Sequence, residues 1–259
     1  MSQLLQVKKL CRQFGGLHAV RNLDFEVSDG EILGLIGPNG AGKTTVVNLV
    51  TGMIMPTFGE VIFNGVDITK IAAHKRAALG LVRTFQSTTV YGGQTVRENA
   101  LRGAYLHRYP GMLAAFLSSR DARALQKKTT ERVERLMSWL GLEQFADTNA
   151  SDMPYGHQKT LGIVIALAAE PKMILLDEPV AGLSAEETDH VRDTIKRVRD
   201  QGISVVVIDH NMRFISGLCD RLVVTSQGEK IAEGAPKEVL KNSLVIEAYL
   251  GKGHATAAG

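Results

Sequence analysis

Residues 37–44 read Gly-Pro-Asn-Gly-Ala-Gly-Lys-Thr, directly after the apolar run 32–36 and at the start of a helical run over 43–49. Glycine tolerates backbone conformations that other L-residues avoid. Gly37, Gly40 and Gly42, with Pro38, Asn39 and Ala41 between them, therefore let successive N–H groups turn inward onto phosphate oxygens. The start of the helix adds its dipole to that cradle. Lys43 reaches the terminal phosphates, and Thr45 lies in the same cofactor-binding stretch. The Thr44 hydroxyl suits magnesium, which keeps its waters and takes only one or two protein oxygens beside phosphate. A second set of reactive groups stands in Met-Ile-Leu-Leu-Asp-Glu-Pro over 173–179. It puts two carboxylates at the end of a buried strand, where open α/β sheets bind their ligands. Asp177 would hold magnesium directly or through water, and Glu178 would polarise an attacking water as general base.

The elements that position these groups follow from local pattern. β-rich runs at 22–27, 31–36 and 60–63 are punctuated by Asp29-Gly30 and by Asn64-Gly65, the latter a hairpin signal. Over 95–142 the pattern turns helical, with Leu125, Val133, Leu136 and Leu140 forming an apolar stripe between charges. Two short apolar runs, 173–176 and 204–208, flank a polar helix over 184–199. That is a βαβ unit, and its continuous apolar strands are those of a parallel sheet covered on both faces. The expected division is a nucleotide-binding core with an antiparallel β-lobe over 1–94 and 155–259, and a helical subdomain over 95–154. Residues 254–259 read as a frayed tail.

Composition is that of a folded soluble chain: 259 residues, 44% hydrophobic and 22% charged, which argues against disorder and collagen-like repeats. Its 30 Lys and Arg are spread along the chain against 27 Asp and Glu, so no basic stripe points to nucleic acid. The longest apolar run, 163–169, is far short of the ~20 residues that span a bilayer. Cys11 and Cys219 have no neighbouring cysteine, and residues 1–10 carry no signal core; a reduced, cytoplasmic protein is expected.

The order of further motifs resembles the ATP-binding subunits of ABC transporters over residues 4–250. The fold implied is α/β: a P-loop NTPase of the ABC ATPase type, with a RecA-like core, an antiparallel β-lobe and a helical lobe. The resemblance implies ATP and Mg2+ as cofactors. Gln86, in Arg-Thr-Phe-Gln over 83–86, matches the family's glutamine loop, which joins core to helical lobe and contributes to the magnesium and water site. His210 matches the switch histidine that contacts the terminal phosphate and the attacking water. Phe14 stands where the family stacks an aromatic on adenine, with Val20 packing beside it. Such stacking contributes roughly 1–3 kcal/mol. Ala-Gly-Leu-Ser over 181–184 looks like the loop that pairs across the dimer, with Ser184 where the family usually has Asp or Asn.

The family's Leu-Ser-Gly-Gly-Gln signature corresponds to Met153-Pro154-Tyr155-Gly156-His157. In the family this segment opens a helix facing the terminal phosphate held by the other subunit. Pro154 supplies neither hydroxyl nor N–H, while Gly156 keeps the close backbone approach. A protonated His157 would restore an attractive contact to phosphate; the alternative is a solvent-facing side chain.

Phe14 to Val20, Arg83 to Gln86, Tyr155-Gly156 and the ending Val-Ile-Glu-Ala-Tyr-Leu-Gly over 245–251 look most like the branched-chain amino-acid importer ATPases, with amide and organic-acid importers alongside. The resemblance implies a peripheral subunit on the cytoplasmic face of the cell membrane. It would close head to tail on a second ABC ATPase subunit, of the same or a related chain, and act on integral membrane permease subunits and, through them, on a substrate-binding protein. Residues 96–117 of the helical lobe either offer the permease its docking surface or form internal core. A second reading is an ATP-binding scaffold with weak hydrolysis, paired with an active partner. Neither a guanine-reading Asn-Lys-x-Asp motif nor a long coiled-coil insertion occurs, which argues against GTPases and against ABC ATPases acting on DNA or ribosomes.

Overall fold

The computed structural model describes residues 2–84, 90–104 and 120–250. Two sheets organise them. A six-stranded sheet runs in the order β10-β9-β3-β8-β7-β6, comprising β3 (Ile32–Ile36), β6 (Leu81–Arg83), β7 (Met173–Asp177), β8 (Ser204–Ile208), β9 (Arg221–Ser226) and β10 (Glu229–Gly234). All neighbours in it are parallel except β10 on β9. Every residue of β3, β7 and β8 is buried, and alternation splits each strand between two cores. Ile32 and Ile36 face the helical side, whereas Leu33 and Leu35 face the β-lobe. Coverage on both faces is why these strands read as unbroken apolar runs.

The second sheet is antiparallel, in the order β2-β1-β4-β5, with β1 (Gln3–Phe14), β2 (Leu17–Ser28), β4 (Phe58–Phe63) and β5 (Val66–Asp67). Asn64 and Gly65, with φ of 48° and 75°, form the two-residue turn that pairs Phe63 with Val66. Asp29-Gly30 makes a turn but no hairpin, because β2 and β3 belong to different sheets.

Helix α1 (Lys43–Thr51) packs under the β-lobe, followed by α2 (Ala73–Ala78). On the opposite face α3 (Val96–Gly103) and α4 (Arg120–Trp139) pack on α5 (Tyr155–Ala168). The fit of α3 on α5 depends on Gly103, where a Cβ would lie 2.0 Å from the Ile165 carbonyl oxygen. Val133 and Leu140 of the expected stripe are buried in this core, with Leu136 packed against it. Helices α6 (Ala185–Asp200), α7 (Met212–Leu218), α8 (Pro236–Val239) and α9 (Ser243–Leu250) complete the described chain. Ser184 caps α6 through a reciprocal box with Glu187. No helix of the described residues is long and apolar enough to cross a membrane. The proposed docking stretch 96–117 is described only as far as residue 104.

Candidate functional site

Because β3, β7 and β8 are parallel, their carboxyl ends open on one edge of the sheet. The phosphate-type loop leaves β3, Asp177 ends β7, and Asp209 and His210 follow β8. Gly37 cannot carry a side chain: its Cβ would sit 2.1 Å from the Thr225 carbonyl oxygen. Gly42, with φ of 92°, caps α1, and a Cβ there would meet the Ala19 carbonyl oxygen at 2.5 Å. The first turn of α1 holds no acidic residue and no side-chain cap, so its N–H groups and dipole are left for an anion.

A cleft of about 670 Å³ lies over this loop. Phe14, Asn39, Gly40, Ala41, Gly42, Lys43, Thr44, Thr45, Asp177 and Glu178 all line it. The Lys43 ammonium donates to the carbonyls of Gly37 at 2.6 Å and Pro38 at 2.9 Å. Burial lowers its pKa, while Glu178 and Asp177 oppose the shift. Phe14 is 44% exposed, and the Arg12 guanidinium stacks 4.4 Å from its ring centroid.

Val20 departs from expectation. It is fully buried in the β-lobe core with Leu10 and Leu23 and does not line the cleft. Alternation along β2 turns Ala19 and Arg21 toward the cleft instead.

Asp177 is buried, and its Oδ2 accepts from Arg83 at 2.6 Å. A second nitrogen of Arg83 donates to the Asn48 side chain on α1 at 2.6 Å. This contact, which ties the loop's helix to the carboxylate strand, carries no sequence signal. Glu178 adopts a left-handed backbone, φ 48°, and its N–H donates to the Ile208 carbonyl at 2.8 Å. Strain of that kind at a non-glycine residue concentrates where a side chain must be aimed. His210 Nδ1 lies 3.9 Å from Glu178 Oε1 and the same distance from Asp209 Oδ1. Asp209 in turn accepts from the Asn211 N–H at 2.9 Å, and burial raises its pKa. Gln86 lies outside the described residues. An anion cradle, a lysine and two carboxylates on one rim can bind a polyphosphate and deprotonate a water beside it.

Tyr155, Gly156 and His157 stand apart from this cleft, at the start of α5. Pro154 occupies the N-cap position and contributes no side-chain hydrogen bond. The Gly156 N–H donates to Glu187 Oε1 at 3.2 Å, a contact the sequence did not reveal. His157 packs edge-on against Phe145 at 4.9 Å and lies 6.2 Å from His190. Burial first and His190 second lower its pKa, with Glu187 opposing, so the surroundings of His157 in the single subunit disfavour the charged imidazole.

ATPase pH profiles of wild type and His157→Gln will therefore superimpose between about pH 6.5 and 8.5. The stability comparison should differ. The unfolded chain binds the His157 proton more tightly than the native one, so wild type loses stability relative to His157→Gln as pH falls below about 6.5. Melting temperatures across that window check the sign.

Residues 20–181 match the ABC transporter family. The chain belongs to that family. As an ABC transporter ATP-binding subunit it also matches, over 229–255, the branched-chain amino acid ATP-binding cassette transporter family. It is 37% identical over 254 residues to the high-affinity branched-chain amino acid transport ATP-binding protein LivG of Escherichia coli, covering 97% of this chain and 100% of the relative. BraF of Pseudomonas aeruginosa, with the same printed role, is 35% identical over 250 residues, covering 96% and 98%. The lipopolysaccharide export system ATP-binding protein LptB of Escherichia coli is 34% identical over 248 residues, covering 96% and 97%. Among solved structures, the ADP conformation of an ATP-binding cassette of an ABC transporter superposes with a TM-score of 0.86 at 28% identity, covering 97% of this chain and 100% of that one. The chain is thus an ABC-type transport ATPase, similar to branched-chain amino acid transport ATP-binding proteins, and an export system ATP-binding protein shares its cassette.

Proposed function

We propose that this ABC ATPase powers an importer of branched-chain amino acids, or of a related amide or organic acid, from the cytoplasmic face of the membrane. The match over 229–255 carries the substrate class, since the cassette itself is shared with an export ATPase. Core residues 1–94 and 155–259 hold the nucleotide, and the helical subdomain 95–154 meets the permease.

The cleft suits MgATP. Its loop packs so closely on the Thr225 and Ala19 carbonyls that only glycine fits at 37 and 42, and Lys43, Thr44 and Asp177 converge on one cavity. Thr44, Asp177 and Gln86 would hold magnesium. Among the described residues no three His, Cys, Asp or Glu converge as a metal cage, and an ion here would complete its shell with phosphate and water oxygens. When bound, MgATP supplies the transferable phosphoryl group and the charge neutralisation that eases its transfer.

The chain's own groups then divide the work. Phe14 stacks on the base, Lys43 exchanges its loop carbonyls for terminal phosphate oxygens, and Glu178 takes the proton of the attacking water. His210, beside Glu178, steadies that water and the terminal phosphate. Two subunits close head to tail, each bringing Tyr155, Gly156 and His157 over the other's nucleotide. To swing an open-to-closed ratio from 99:1 to 1:99, ATP must favour closure by ~5.5 kcal/mol, under ~3 kcal/mol per site.

Steady-state turnover by the purified chain, alone and reconstituted with its permease subunits, tests this reading. Turnover should rise when leucine-loaded binding protein is added. ATP binding without turnover in either setting would favour the scaffold reading, which the altered segment 153–157 makes the second choice. Stimulation by an amide or organic acid, and none by leucine, would move the substrate class.

A further inference from the structure

Glu187 serves two elements at once. Its Oε2 accepts from the Ser184 N–H at 2.9 Å and its own N–H donates to Ser184 Oγ at 3.3 Å, closing the capping box of α6. Its other oxygen, Oε1, accepts from the Gly156 N–H at 3.2 Å, in the first turn of α5. The fit is close on both sides. A Cβ at Gly156 would lie 3.0 Å from Glu187 Oε1, and one at Gly182 would lie 3.3 Å from the Tyr155 ring. The loop 181–184 and the start of α5 are therefore joined within one subunit by a single carboxylate. Hydrogen bonds from Ser184 first and Gly156 second hold its pKa below the usual carboxylate value, so that carboxylate is ionised.

A carboxylate at this position has a chemical consequence. The Gly156 N–H is a phosphate-type donor at a helix N-terminus, and it is already satisfied by an anion of the same chain. We propose that Glu187 is a positioning residue for dimer closure: it holds α5 to the loop 181–184 in the open subunit, and its carboxylate must yield the Gly156 amide to the partner's terminal phosphate. The inference rests on the head-to-tail closure proposed above. It makes Glu187 the group that sets how much ATP closure requires.

Glu187→Gln keeps a residue suited to the capping box and removes the charge. The test compares Glu178→Gln with Glu178→Gln/Glu187→Gln, in which hydrolysis is disabled and closed pairs accumulate. Mass in solution is followed across a MgATP titration, alongside melting temperature. The single amide oxygen of Gln accepts from Ser184 or from Gly156 but not from both, so the charged bond at Gly156 is lost or becomes a neutral one, and half-dimerisation should shift to roughly three- to tenfold lower MgATP. Damage to the fold cannot produce that gain. An unchanged or raised midpoint, with the parent dimerising normally, overturns the role of Glu187 and leaves closure standing. Dimerisation of the double variant alone supports the role. If neither protein dimerises at saturating MgATP, head-to-tail closure falls and this inference with it.

Discussion

Glu178→Gln is expected to turn over ATP roughly 10²–10⁴-fold more slowly than wild type, the contribution of a positioned general base. It should still bind nucleotide. The substitution keeps the shape of the side chain and removes its proton affinity, while Lys43 and the loop amides are untouched. Lys43 keeps the Gly37 and Pro38 carbonyls and Asp177 keeps Arg83, so what Lys43 loses is the Glu178 charge and not its hydrogen bonds. MgATP that is bound and not cleaved should therefore hold two subunits together, and the mass should move from monomer to dimer. The left-handed backbone at Glu178 adds a second expectation, because Glu178→Gly relieves that strain as well as removing the base. Glu178→Gly should melt no lower than Glu178→Gln and be equally inactive. A Glu178→Gln protein retaining more than about a tenth of wild-type turnover would move the base to another group, with His210 the nearest candidate.

Legibility in the sequence followed the range of the interaction. The loop 37–44 and the pair Asp177-Glu178 were readable because their chemistry lies in contiguous residues that follow buried strands. The strands β3, β7 and β8 were equally plain, since burial on both faces leaves an unbroken apolar run. β1 was harder: Lys8, Lys9 and Arg12 interrupt it, and its pairing with β2 slips register at several points, so period-two alternation fails. Val20 misled because motif position does not say which face of a strand a residue takes. His157 is a related case: burial and His190 and Glu187, which arrive from another element, act on the imidazole's charge, and no local pattern shows them. Arg83 on Asp177 and Glu187 on Gly156 join residues 94 and 31 positions apart, and no local pattern marks either pair.

Arg76 carries that argument furthest, because in sequence it belongs to an ordinary polar stretch, His-Lys-Arg, and in the fold it is completely buried. Its guanidinium donates to four backbone carbonyls: Ile71 at 2.7 Å, Leu49 at 2.8 Å, Val50 at 2.7 Å and Thr69 at 2.9 Å. Leu49 and Val50 lie in the last turn of α1, where carbonyls have no partner within the helix and the dipole is negative. Arg76 is thus the cap at the far end of the helix whose near end faces the cleft. Gly52 makes room for it, since a Cβ there would lie 2.6 Å from Arg76 Nε. Burial brings the guanidinium pKa down to about 10, still charged at neutral pH, with Asp67 opposing the shift. Arg76→Met should cost about 3–5 kcal/mol, because the buried carbonyls lose the guanidinium, Leu49 keeping only the Gly52 N–H, while the methionine returns only apolar contact. That is a large part of the ~5–15 kcal/mol that holds a domain folded. Arg76→Lys should recover only part of it, since one ammonium cannot match a planar fork spanning carbonyls of α1 and of the turn before α2. Urea unfolding followed by circular dichroism gives the difference, and saturating MgATP should restore about 2.7 kcal/mol at 100 times its Kd. A loss below about 1 kcal/mol would mean that water reaches those carbonyls and that the helix end does not depend on Arg76.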